Sequence, residues 1–217
     1  LAFALSSWLA ARRGHWLVAG LLAGGAAFVR IDGLFLGVAL VVEWLVRGRP
    51  YRLRTVLPLA APWVVTAGFF AYLHSVTGDW LAWLHAERDG WGRSLTAPWT
   101  ALHTSWNAAF SPTQGAGYEW SFRAGILAVF LGVALTIVLF VLRRWGEATF
   151  VGLQVVALAC SAYYLSVARS TVLWFPLWVL LARWSVRREW LHRAYLAVAP
   201  ALMAVGVVSF TSGRWVG

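Results

Sequence analysis

Long apolar runs separated by arginine-bearing breaks are the feature that most limits what this chain can become. A helix needs about 20 apolar residues to cross a bilayer, because in hydrocarbon every backbone N–H and C=O must be satisfied within the segment. Four runs approach or reach that length: Thr55–Val76, Ala124–Leu142, Ala148–Ser166 and Ala194–Phe210. Three more are short, Trp16–Val29, Gly33–Val46 and Thr171–Ala182, and at 1.5 Å per residue they reach only about 18–21 Å. Hydrophobic residues make up 61% of the 217 and charged residues 12%. That is too little charge to cover a water-soluble core and too much apolar surface for disorder. The sequence predicts an all-α, polytopic transmembrane helical bundle with short broken helices, forming a single transmembrane domain over residues 1–217.

The 18 basic residues are all arginines, and their positions give an orientation. If each segment crosses, one side holds Arg12, Arg13, Arg47, Arg49, Arg52, Arg54, Arg143, Arg144, Arg183, Arg187, Arg188 and Arg193. The other holds Arg30, Arg88, Arg93, Arg123, Arg169 and Arg214. The denser set clusters in short loops, as cytoplasmic loops do. The net charge of +10 is then a topology signal facing an anionic leaflet, not a nucleic-acid surface. On this scheme residues Thr77 to Arg123 form one large extracytoplasmic loop, polar and rich in Trp, and long loops in compact proteins tend to be functional. The first apolar stretch, Leu1–Ala11, is followed rather than preceded by positive charge. It reads as the end of an earlier helix, not a signal peptide, and the chain as a C-terminal fragment.

Three constellations can carry chemistry. Arg30-Ile31-Asp32-Gly33 forms the tip of a hairpin whose short arms keep it below the outer interface, where ionisable groups are costly and usually functional. The alternative is a plain Arg–Asp pair that satisfies the turn. Thr77-Gly78-Asp79-Trp80 leads into a helix that Asp79 can cap. Along that helix Trp80, Trp83, Glu87 and Trp91 share one face, with His85 and Arg88 beside it. Such a face suits sugar stacking with a carboxylate for the hydroxyls, or an interfacial aromatic belt. Arg169, opening the short Thr171–Ala182 segment, is placed either to meet a phosphate near a helix N-terminus or simply to snorkel to the interface. Glu43 and Arg47 stand at i,i+4 as an ion pair. The single cysteine, Cys160, and the scattered histidines give no metal motif, and no nucleotide-binding or hydrolase fingerprint is present.

Three blocks resemble bacterial relatives of the second GPI mannosyltransferase, the PIG-V type, within the GT-C class of membrane glycosyltransferases. They are Ala11-Arg12-Arg13-Gly14-His15-Trp16 through Ala19–Gly24 to Arg30-Ile31-Asp32-Gly33; Gly78-Asp79-Trp80 through His85-Ala86-Glu87 to Trp91-Gly92-Arg93; and Ser166-Val167-Ala168-Arg169 through Phe175-Pro176-Leu177 to Leu181-Ala182. The resemblance implies a multi-pass enzyme of the bacterial plasma membrane that moves a mannosyl or other hexosyl group from a polyprenyl-phosphate sugar to a lipid or glycan acceptor. It implies no cofactor and no nucleic-acid partner. The usual catalytic acid of such enzymes lies in an earlier loop, before Leu1, which leaves Asp32 and Asp79 as the candidates here. Arg30, Asp79, Glu87, Arg88, Trp91, Arg93 and Arg169 are the expected substrate contacts. A transporter or lipid flippase, or a non-catalytic membrane subunit that binds a lipid-linked sugar, are the rival readings.

Overall fold

The computed structural model describes residues 1–47, 52–111, 116–165 and 167–213, and among these it contains helices and no strand. Arg49, Arg214 and Ser166, which enter the orientation scheme, the third block and the Ala148–Ser166 run, lie outside the described residues. The helices are α1 (Ala2–Arg12), α2 (Trp16–Val29), α3 (Gly33–Arg47), α4 (Leu53–Val56), α5 (Ala61–Thr77), α6 (Ala82–Trp91), α7 (Pro98–Phe110), α8 (Ala116–Val141), α9 (Trp145–Ala159), α10 (Val167–Ser170), α11 (Phe175–Arg187) and α12 (Glu189–Thr211). A 3-10 turn, Leu57–Ala60, joins α4 to α5, and another, Thr171–Leu173, follows α10.

Three stretches are long and apolar enough to cross a membrane: Leu53–Thr77, Tyr118–Val141 and Glu189–Thr211. In α12 no residue is buried, and Leu202, Met203, Val205, Val208 and Phe210 each expose more than 60% of their surface. Apolar side chains bare on several faces of a helix about 34 Å long need hydrocarbon as their solvent. The chain is a membrane protein.

Two expected spans are shorter than the sequence implies. The Ala148–Ser166 run leaves the helix at Ala159, where the Cys160 carbonyl accepts the Thr96 N–H at 2.8 Å. The Thr171–Ala182 run breaks at Trp174, because Pro176 fills the first turn of α11, where its missing N–H costs nothing. The segment from Thr77 to Arg123, expected as a loop, holds α6, α7 and the first turns of α8.

The described residues form two compact units: Leu1–Leu95 with Gly132–Ala157, and Thr96–Leu131 with the chain from Leu158 onward. In the first, small residues set the packing. Ala19, Gly20, Ala23, Gly24 and Ala27 make one buried stripe on α2. A Cβ on Gly20 would overlap the Pro58 carbonyl, and one on Gly24 would lie 3.1 Å from the Ala61 Cβ. Lipid tails supply no hydrophobic force between helices, so close backbone approach and dispersion hold them together. The pairing of Gly20 with Pro58 and Gly24 with Ala61 makes α2 and α5 run in the same direction. Beyond that level α5 continues about 16 Å further along its own axis than α2 does. The α2–α3 hairpin tip therefore stops well short of the end of α5.

The opposite end of this unit is tied by buried charge. The Glu43 and Glu147 side chains are 6% and 3% exposed. Glu43 meets Arg47 at 2.7 Å and Arg12 at 3.7 Å. Glu147 pairs with Arg144 through both oxygens and accepts the Trp8 indole N–H at 3.1 Å. Arg143 takes a left-handed φ of 56° to turn α8 into α9, which brings Arg144 round to this point. Gly146 admits the cluster, since a Cβ there would lie 2.9 Å from the Glu43 carboxylate. Thus the ends of α1 and α3 and the start of α9 meet on shared carboxylates.

In the second unit, α7 and the first half of α8 enclose Ala101, Ala109, Phe122, Ile126 and Val129 with Tyr164 and Val167. The buried Ser105 hydroxyl accepts the Tyr164 N–H at 2.9 Å and donates to the Ala101 carbonyl at 2.7 Å. Arg123 donates to the Ala109 carbonyl at 2.9 Å, pairs with Glu119, and lies over the Phe110 and Trp120 rings. That arginine is committed to packing.

The stripe on α2 is directly testable. Gly20→Ala should destabilise the protein by about 1–3 kcal/mol, because the backbone of the Leu57–Ala60 turn cannot yield as a side chain would. Gly68→Ala, on α5 with open space around it, should be neutral or stabilising by up to about 1 kcal/mol. Thermal unfolding of both variants in one detergent checks the pair.

Candidate functional site

The C-terminal end of α5 and the start of α6 bring together four residues with chemistry. Gly78 ends α5 in the left-handed conformation, φ 73°, with its N–H on the His74 carbonyl at 2.8 Å. Asp79 follows and its Oδ1 accepts the Leu81 N–H at 2.8 Å, so Asp79 closes an Asx turn before α6 rather than capping it as expected. The fold of that turn brings its other oxygen, Oδ2, to 2.7 Å from His85 Nδ1. Trp80, outside the helix, stacks on His74 with centroids 4.2 Å apart and planes 9° from parallel. The expected aromatic face of α6 therefore reduces to Trp83, Glu87 and Trp91.

The electrostatics give the pair its polarity. The Leu81 N–H, and secondarily His85, hold the Asp79 carboxyl below its ordinary value. Asp79 is ionised at neutral pH and can only accept, so His85 Nδ1 must carry the proton in the bond between them. Nε2 is left as the nitrogen able to take a proton. The sign for stability follows. The turn is held above the usual carboxylate range and loosens as pH falls through the lowered value.

The other expected residues fall into three places. Glu87, Arg88, Trp91 and Arg93 lie on α6 or just beyond it, where Gly92 ends the helix at φ 61° and the Arg93 N–H reaches the Glu87 carbonyl. Arg88 is exposed and has no ion-pair partner among the described residues. Arg30 and Asp32 bond to each other, Nε to Oδ2 at 3.0 Å and Nη2 to the same oxygen at 2.8 Å. Their pairing closes the α2–α3 turn and occupies Asp32. A Cβ on Gly33 would collide with the Ala27 backbone, which fixes that turn tightly. Arg169 belongs to the second unit and sits in the four-residue α10, exposed, well before α11 starts at Phe175. The expected helix N-terminus at Arg169 is not there, because the Thr171–Leu173 turn intervenes. Among the described residues no group of His, Cys, Asp and Glu could hold a metal ion.

Sequence spacing missed the Asp79–His85 pair because six positions is not a neighbour distance on a helix. The available signal was the Asp three residues before a helix start. Its side chain covers the first turn, and His85 is the fourth residue of α6.

Nitrogen-15 NMR of His85 in the purified protein tests the pair. Above neutral pH, His85 should show the Nδ1-protonated pattern, and Asp79→Ala should return it to the Nε2-protonated form that free histidine prefers. An unaltered pattern in Asp79→Ala would show that the carboxylate does not set the tautomer.

No protein-family model, curated protein or solved structure matches the chain.

Proposed function

We propose that this chain is a membrane glycosyltransferase that moves a hexosyl group, mannosyl by the resemblance, from a polyprenyl-phosphate donor to a lipid or glycan acceptor outside the bacterial plasma membrane. The observation that carries the reading is the Asp79–His85 pair, 2.7 Å apart, at the end of a membrane-length helix with Arg88 one turn further along α6. The sequence blocks and the aromatic residues Trp80, Trp83 and Trp91 support it.

His85 Nε2 takes the proton of the acceptor hydroxyl as its oxygen bonds to the anomeric carbon of the sugar. The bond from that carbon to the phosphate oxygen breaks, and the electron pair leaves with the polyprenyl phosphate. Asp79 holds the ring oriented and balances the imidazolium that forms, as a carboxylate does behind a catalytic histidine. Arg88 supplies a guanidinium for the leaving phosphate. Arg93 is a further candidate for the same anion and Glu87 for the sugar hydroxyls, while Arg169, in the second unit, is a phosphate candidate on the resemblance alone.

A transporter or lipid flippase is the second reading. It draws on the Arg30–Asp32 pair at a hairpin tip that stops short of the end of α5.

Transfer of labelled mannose from a polyprenyl-phosphate donor, measured with the natural-length protein in proteoliposomes, tests the proposal. His85→Gln should lower turnover about 10²–10⁴-fold with folding intact. Arg169→Lys should weaken donor use by roughly 1–3 kcal/mol if its planar fork meets phosphate. Wild-type turnover by His85→Gln would remove the base. Donor translocation without transfer would favour the second reading.

A further inference from the structure

α7 carries no charged residue, and its sides differ. Ala101, Ser105 and Ala109 recur every fourth residue and are buried, Ala101 and Ala109 in one core with Phe122, Ile126 and Val129 of α8. Trp99, Trp106 and Phe110 recur along another face and are 73%, 52% and 54% exposed. Leu127 and Phe130 of α8 are bare as well. Large rings exposed along a whole helix, with no charge among them, mark a contact surface and not a face for water.

Contacts inside the second unit set α7 antiparallel to α8, which holds the membrane-length stretch Tyr118–Val141. The Phe110 end lies at Arg123, whose Nε reaches the Ala109 carbonyl at 2.9 Å and whose guanidinium lies over the Phe110 and Trp120 rings. One turn back along α7, Ser105 accepts the Tyr164 N–H at 2.9 Å, and a Cβ on Gly125 would overlap the Tyr164 carbonyl. Pro98 lies about 10 Å beyond Ser105, with its carbonyl 3.3 Å from the Tyr164 hydroxyl. An arginine among aromatic rings marks the membrane interface, and Gly125 lies about 3 Å inside Arg123. Pro98 is thus carried about 13 Å inward, near the middle of a hydrocarbon core about 30 Å thick.

We infer that α7 is a re-entrant helix held within one leaflet, docked through Trp99, Trp106 and Phe110 on lipid acyl chains. Backbone that leaves a helix at that depth must find its partners inside the protein, and the surroundings of Pro98 meet this demand. Pro98 stands in the first turn of α7 and removes an N–H that would lack an acceptor. The Thr96 N–H goes to the Cys160 carbonyl at 2.8 Å. Tyr164, 2% exposed, gives its N–H to Ser105, and its hydroxyl faces the Pro98 and Ala159 carbonyls. On the exposed face, the Asn107 amide donates to the His103 ring at 3.4 Å, so the two polar groups serve each other. The inference depends on the chain lying in a membrane and not on glycosyl transfer, so a failed transfer assay leaves it standing.

Nitroxide labels on Trp99→Cys, Trp106→Cys and Phe110→Cys, each made with Cys160→Ala in the natural-length protein and reconstituted in phosphatidylcholine vesicles, test it. Collision with dissolved oxygen should rise, and collision with a water-soluble nickel chelate should fall, in the order Phe110, Trp106, Trp99. Equal and high nickel access at all three positions, as in a loop in water, would overturn the inference. So would equal depth at all three, as in a helix lying flat on the surface. Exclusion of both reagents from Trp99→Cys, as under a second copy or another protein, would overturn it too. The wild type gives a second measurement that needs no substitution. A phospholipid with a diazirine at the middle of its acyl chain should cross-link the Trp99 end of α7 in preference to the Phe110 end. No cross-link on α7, or the reverse preference, would contradict the placement.

Discussion

Two buried carboxylates, Glu43 and Glu147, hold the arginine-bearing ends of the first unit together. Arg12 leaves the end of α1, Arg47 the end of α3 and Arg144 the start of α9, and each is drawn to one of these two acids. Taking one partner from a buried pair costs about 3–5 kcal/mol, because the remaining charge keeps its desolvation penalty without its compensation. The cluster therefore fixes which helix ends share a side. It does so with arginines that the charge asymmetry of the sequence assigns to one and the same side.

From that anchored end, α5 works as a ruler. Trp44 of α3 bonds to Thr55 at 3.0 Å near the arginine cluster, and about 33 Å of helix separates Thr55 from Thr77. The Asp79–His85 pair is thus carried a full membrane thickness from Glu43. The α2–α3 hairpin, packed against α5 through Gly20, Gly24 and Gly37, covers only part of that length. Its Arg30–Asp32 tip lies below the Asp79–His85 level. The upper part of α5 is left bare, with Phe69, Tyr72 and Val76 exposed, as suits a surface that faces lipid.

What the sequence made legible was local. The breaks at Gly14-His15 and at Arg30–Asp32 bound α2 and α3 to within a residue, and the Glu43–Arg47 pair follows from i,i+4 spacing alone. The Arg30–Asp32 bond was visible as one of two readings. What it hid was either long-range or set by a turn. Trp8 meets Glu147 across 139 positions and Ser105 meets Tyr164 across 59, and neither leaves a periodic trace. Trp80 leaves the aromatic face because Asp79 closes an Asx turn and delays α6 to Ala82, and the same turn makes the contact with His85. Gly78 and Gly92, within the blocks that carry the resemblance, serve as left-handed helix ends. Part of that resemblance is thus explained by backbone geometry alone.

The Glu43–Glu147 end and the Asp79–His85 end of the first unit are expected to face opposite sides of a membrane. Single cysteines at His15 and Ser94, introduced with Cys160→Ala, can be labelled in intact cells with a membrane-impermeant maleimide. Ser94→Cys should label from outside, and His15→Cys only after the membrane is permeabilised. Labelling of both positions from outside, or of His15→Cys alone, would contradict it.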